Sequence, residues 1–92
     1  MIHSVQHLGD DSEFRLTIDG ETASVVYEIM GSQMAILHTI VPVPLQNKGV
    51  GSALIKAALD YCQQSNLRVD PVCPFAKAYI ARHREYQHLS VQ

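Results

Sequence analysis

The hydrophobic pattern of this chain changes period once, and that change sets the order of its elements. Phe14, Leu16 and Ile18 alternate with Arg15 and Thr17, the period of two expected of a half-buried strand. Asp19-Gly20 follows at once and favours a tight hairpin, because both residues accept positive φ. It leads into a second strand with Ala23, Val25, Tyr27 and Ile29 on one face. Gly31-Ser32 marks a second hairpin. The run from Met34 to Val41 is apolar except for His38 and Thr39, which predicts a central strand covered on both faces. Pro42 and Pro44 end it, since neither can donate to a ladder. From Gly49 the period lengthens: Val50, Leu54, Ile55, Ala58, Leu59 and Cys62 recur at three- and four-residue intervals, the apolar face of a helix running to about Ser65 and stopping at Asn66. Leu67 to Val72 reads as another strand, and Pro74 opens a last helix carrying Phe75, Ala78, Tyr79 and Arg82. The helix between two strands implies a parallel, right-handed crossover. The expected fold is therefore α+β (mixed α/β): an antiparallel meander, one parallel strand-helix-strand unit, then a C-terminal helix.

Ninety-two residues bury one modest core, so residues 1–92 are read as one domain. The seven Lys and Arg are scattered, and the net charge of -2 argues against a nucleic-acid partner. The opening MIHSVQHLGDD has neither a basic stretch nor an apolar run of the secretory kind, and no segment approaches the ~18 apolar residues of a membrane span. A cytoplasmic protein with no membrane partner is expected. Cys62 and Cys73 match neither a redox CxxC nor a zinc pattern and read as free thiols.

Chemistry concentrates where the chain enters the long helix. Gln46-Asn47-Lys48-Gly49-Val50-Gly51 places two glycines at a helix start, where backbone amides can approach a ligand with no Cβ in the way. The unpaired N–H groups and partial positive charge there suit a diphosphate. A bare GxG can also do no more than allow a tight loop. A nucleotide P-loop is excluded because Ala53, not a lysine-led pair, follows Gly51-Ser52, and a dinucleotide fingerprint would need a third glycine.

Taken together, His38-Thr39-Ile40-Val41-Pro42, QNKGVGSAL, Ala57-Ala58-Leu59, and Pro71-Val72-Cys73-Pro74-Phe75 with Tyr79-Ile80 and His83 resemble the small YjdJ-type branch of the GNAT superfamily, from about Ala23 to Leu89. QNKGVG corresponds to the superfamily's Q/R-x-x-G-x-G/A pyrophosphate loop. The resemblance implies an N-acetyltransferase whose cosubstrate, acetyl-CoA, lays its pyrophosphate on the amides of Gln46, Asn47, Lys48, Gly49, Val50, Gly51, Ser52 and Ala53. It also implies a pantetheine arm paired with the backbone near Ile40 and Val41, in a wedge between two splayed parallel strands, with Phe75 beside it. Pro71 supplies a local reason for the wedge: without an N–H it cannot pair fully, which favours parting of the strands. Where related sequences read His-Pro-Glu-Tyr, this chain has His83-Arg84-Glu85-Tyr86, and a longer last helix is expected.

Three side chains are catalytic candidates. His38 is read either as a base toward an amine or as a core histidine with an internal hydrogen bond. Tyr79 could protonate the leaving thiolate, as a tyrosine does in many GNAT enzymes, or pack in the core with a wet hydroxyl. Cys73, just before a proline suited to the first helical position, falls at a helix cap where a thiol pKa is lowered; it is a nucleophile, an acid, or packing beside Phe75. Glu28 reads as a solvated residue. His3, His7, His83 and His88 show no ligand spacing, so no metal is proposed. In the implied reaction an unidentified amine or protein acceptor attacks the thioester while a backbone N–H near Val41 holds the oxyanion. The rival reading is a coenzyme A-binding module with little transferase activity, because the chain has no room for the helices that usually shape the acceptor site.

Overall fold

A computed structural model describes residues 4–91; His3 lies outside them. Five strands form one sheet in sequence order: β1 Gln6–Leu8, β2 Glu13–Ile18, β3 Glu21–Met30, β4 Gln33–Ile40 and β5 Arg68–Pro71. The first four pair antiparallel and β4 pairs parallel with β5, with α1, Val50–Gln64, making the crossover and α2, Pro74–Arg82, following. Turn chemistry explains the hairpins. Asp19 and Gly20 both take positive φ (51° and 81°), the mirror-image turn whose twist matches its strands. In the second hairpin Gly31 alone does so (61°).

The core lies on one face of the sheet. Phe14, Leu16, Ala23, Val25, Tyr27, Met34 and Ile36 meet Leu54, Ile55, Ala58, Leu59 and Cys62 of α1 and Ala76, Tyr79 and Ile80 of α2 in one cluster. Each fully buried Leu or Ile there contributes about 1.5–3 kcal/mol. No helix among the described residues is long and apolar enough to cross a membrane.

Four features depart from the pattern. A short strand, β1, lies ahead of the meander and is held by His7, whose ring stacks on Phe14 at 4.2 Å and whose Nε2 shares a 2.6 Å hydrogen bond with the Tyr27 hydroxyl. Ile29, expected on the core face, is 42% exposed at the hairpin end of β3, where the last three residues are all exposed. β4 is not covered on both faces throughout: Met34, Ala35 and Ile36 are buried, but His38 and Ile40 are exposed.

The fourth is the last helix, which stops at Arg82 instead of running longer. His83 turns extended (φ -125°, ψ 94°), its Nδ1 hydrogen-bonds the Tyr79 carbonyl at 2.7 Å, and its ring stacks on Tyr79 at 3.8 Å. The imidazole thus takes the carbonyl that a continuing helix would give to the His83 amide. A 3-10 segment, Arg84–Leu89, follows and lets the Tyr86 hydroxyl donate to Asp60 Oδ1 of α1 at 2.6 Å, while Lys56 Nζ donates to Oδ2 at 2.8 Å. Burial pushes the Asp60 carboxyl up, but these two donors outweigh it and hold its pKa below the ordinary 3.8. Their stabilisation is therefore present above the ordinary carboxylate range and lost as pH falls through the lowered value. Tyr86→Phe should cost about 1 kcal/mol in urea unfolding at pH 7, less than a buried charged hydrogen bond because Asp60 is partly solvated. The deficit should shrink toward pH 3.

Candidate functional site

The connection from β4 to α1 is built to leave amides free. After Pro42 the chain makes a 3-10 turn over Val43–Leu45, anchored by buried Leu45, and the Gln46 side chain donates to the Val41 carbonyl at 3.0 Å, tying the loop to the strand end. Asn47 and Gly49 then take positive φ (64° and 76°) and swing the backbone into the helix. Gly49 is the N-cap and makes no side-chain cap bond. The first α-helical bond is Ala53 N–H to Gly49 O at 3.0 Å, so the amides of Val50, Gly51 and Ser52 have no acceptor within the helix.

These residues line a cavity of about 470 Å³. Its wall contains Thr39, Val41, Gln46, Asn47, Gly49, Val50, Gly51, Ser52 and Phe75 over a Leu45 base. Gly51 lets a side chain of α2 come close to the helix start. A Cβ on it would come within 3.0 Å of Phe75 Cζ, so the Phe75 ring lies against the bare backbone of the first turn.

The amide run predicted from Gln46 to Ala53 is shorter at both ends. The Gln46 N–H goes to Val43 O and the Ala53 N–H to Gly49 O, because each closes a turn of its own helical segment. Neither Ala53, Lys48 nor Ile40 borders the cavity.

The parallel strands part beside it. The last β4–β5 pair is Ile36 with Pro71, and from Leu37 onward β4 pairs with no strand among the described residues on that side. The Cys73 N–H closes the wedge by donating to Ile36 O at 2.8 Å. On its other side β4 carries a bulge: Val26 pairs with His38 but Tyr27 pairs with Ile36, leaving Leu37 as the extra residue. Side-chain parity inverts across it. Thr39, opposite buried Val25, turns to the core face, and His38, opposite Val26, turns out. His38 is therefore an exposed residue beside the wedge, which corrects the reading of it as a core histidine inside a strand covered on both faces.

Cys73 is the N-cap of α2, 6% exposed, with Sγ 3.4 Å from Thr39 Oγ1. Burial opposes its ionisation, but the Thr39 hydroxyl and the N–H groups of Ala76, Phe75 and Thr39 outweigh it and hold the thiol below its ordinary 9.0. Cys62, with Sγ donating to Met34 Sδ and no such donors, is pushed up to about 12 by burial. Tyr79 is not among the cavity residues: its ring packs on His83 and near Tyr86, and burial pushes its pKa up. Of the three catalytic candidates, the structure brings Cys73 to the wedge, sets His38 on the opposite side of the strand, and packs the Tyr79 ring against His83. Thr39 was missed, although two consecutive polar residues inside an apolar strand are a signal that its alternation breaks.

A family model described as GCN5-related N-acetyl-transferase matches residues 13–89, nearly the whole described chain. The chain belongs to the GCN5-related N-acetyltransferase family. The solution structure of a GCN5-like candidate N-acetyltransferase from Staphylococcus aureus superposes with a TM-score of 0.75 at 25% identity, covering 96% of this chain and 87% of that one. Protein NATD1 of mouse is 28% identical over 88 residues, covering 92% of this chain and 80% of its own length, and human Protein NATD1 matches at the same identity over 78% of its length. This GNAT membership places the chain in the acyltransferase superfamily and agrees with the mixed sheet and its parallel β4–β5 pair.

Proposed function

We propose that the protein binds acetyl-CoA and transfers its acetyl group to an amine. The observation that carries this reading is the junction of a cavity lined by free helix-start amides with the unpaired edge of β4. The amides of Val50, Gly51 and Ser52, with the helix dipole behind them, suit a diphosphate. The β4 backbone near Ile40 and Val41 suits the amide-bearing pantetheine arm, which adds to an open strand edge as a peptide would. Such an arm would carry the thioester toward Thr39 and Cys73.

Two routes of transfer are open to these groups. In the first, the amine attacks the thioester directly, coenzyme A leaves as thiolate, and the amine's proton passes to His38 or water. In the second, the Cys73 thiolate attacks the acetyl carbon, the bond from carbon to coenzyme sulfur breaks, and S-acetyl-Cys73 forms. The amine then displaces the Cys73 thiolate and loses its proton. The lowered thiol pKa favours the second route. Tyr79, whose ring stacks on His83 and which is not among the cavity-lining residues, is left out of both routes.

A coenzyme A-binding module is the alternative. It draws support from the outer sheet face, where Glu28, His38 and Ile40 are exposed. Calorimetry with acetyl-CoA, followed by thiol release in a panel of amines and peptides, separates the two. A transferase releases thiol faster than protein-free hydrolysis; binding without release across the panel leaves a module. An absence of binding removes both.

A further inference from the structure

Among the described residues the sulfur at the closed end of the wedge has the Thr39 hydroxyl as its side-chain hydrogen-bond partner, and a bulge in β4 supplies it. In an unbroken β4, the face carrying Met34 and Ile36 would next carry His38, and Thr39 would point away. The extra residue at Leu37 exchanges them, so a hydroxyl and not an imidazole meets Cys73, at 3.4 Å. Thr39 also forms part of the cavity wall, and the Cys73 backbone is fixed to the same strand by its own bond to Ile36 O, so the two side chains are held in register.

We propose that Thr39 is a positioning residue, whose hydroxyl, 3.4 Å from the Cys73 sulfur, donates to that sulfur when it is a thiolate and holds it at the end of the wedge. This rests on the reading of Cys73 as the group that meets the acetyl thioester. A rotatable hydroxyl suits the task because it donates to the thiolate and accepts from the thiol, so the contact survives each change of charge. The other donors around the sulfur are backbone N–H groups of Thr39, Phe75 and Ala76, and no charged side chain is among the groups that shift it. The Thr39 hydroxyl is therefore the member of the set that substitution can remove. Valine preserves the β-branched shape that suits a strand and deletes only the donor.

The test is the pH dependence of iodoacetamide alkylation at Cys73, followed by peptide mass mapping in ligand-free protein. Thr39→Val should raise the midpoint by about one unit, roughly a tenfold loss of thiolate near pH 7, as expected for one hydrogen bond to a charged group. Thr39→Ser should restore the wild-type midpoint, which a purely structural role for the methyl group would not. Should Thr39→Val fail to fold, Thr39→Ala deletes the same donor without adding bulk and should shift the midpoint in the same direction. An unshifted midpoint in a folded valine or alanine variant overturns the proposal. Because no coenzyme is present, this result is independent of whether acetyl transfer occurs; a shifted midpoint in a protein that fails the amine panel would refute the transferase reading and leave the Thr39 contact standing.

Discussion

Gly51→Asp should fold as well as the wild-type protein and lose acetyl-CoA affinity by about a hundred- to a thousandfold. The two halves of this expectation have separate causes. Gly51 lies in regular helix without positive φ, at the second helical position after the Gly49 cap. A carboxylate there is favourable to the dipole, and replacing glycine within a helix adds propensity. The new Cβ meets only the far end of the Phe75 ring, which is 40% exposed and free to give way. Against the ligand, the same carboxylate faces a diphosphate. Two unit charges about 4 Å apart at an effective dielectric near 20 repel by about 4 kcal/mol, nearly three decades in affinity before salt screening. Gly51→Ala isolates the ring displacement from the charge and should cost far less. Calorimetry on the three proteins, with thermal unfolding as the fold control, decides the matter. A folded aspartate variant of unchanged affinity would show that the diphosphate lies elsewhere.

Much of the fold was legible because each signal was local. Asp19-Gly20 and Gly31-Ser32 dictate their turns by φ, and the change from alternation to a three- and four-residue period gives α1 to within a residue at each end. The illegible features rest on contacts between residues distant in sequence. β1 offers a single apolar residue, Leu8, and holds its place through the His7 imidazole against Phe14 and Tyr27, a contact no hydrophobic count registers. The end of α2 depends on a histidine side chain taking a carbonyl and on Tyr86 finding Asp60 across the gap to α1.

The site divides in the same manner. Glycine spacing gives the loop, but which amides remain free depends on the turn bonds at Gln46 and Ala53, and these are set by the folded backbone. The bulge is the sharper case. A period-two count assumes one residue per pleat, so a single extra residue at Leu37 reverses every assignment after it, and His38 and Thr39 exchange sides. The consequence is functional. The imidazole moves to the exposed side of the strand, where the proposed transfer would need it, and the hydroxyl moves to the sulfur.

The two cysteines should then differ sharply toward iodoacetamide at neutral pH, Cys73 reacting at least about thirtyfold faster than Cys62. With the Cys62 thiol at about 12, its thiolate fraction at pH 7 is on the order of 10⁻⁵; a thiol below 9.0 exceeds about 10⁻², a gap of about a thousand. Thiolates of lower pKa are intrinsically weaker nucleophiles, which takes back about one and a half decades over three units. Burial restores part of that. Cys62 is wholly enclosed on the core face of α1, whereas Cys73, though mostly covered, touches a residue of the cavity wall. The pH dependence carries the sign of each shift: the Cys73 rate should level off below pH 9, while that of Cys62 still climbs beyond pH 10. Saturating acetyl-CoA should protect Cys73 and leave Cys62 unchanged, since the proposed thioester path ends at one sulfur and not the other. Peptide mapping of a time course at several pH values, with and without coenzyme, measures all of this in one protein. Equal rates, or a Cys73 rate indifferent to bound coenzyme, would reduce Cys73 to packing beneath Phe75, and acetyl transfer would then have to pass directly from thioester to amine across the His38 side of the strand.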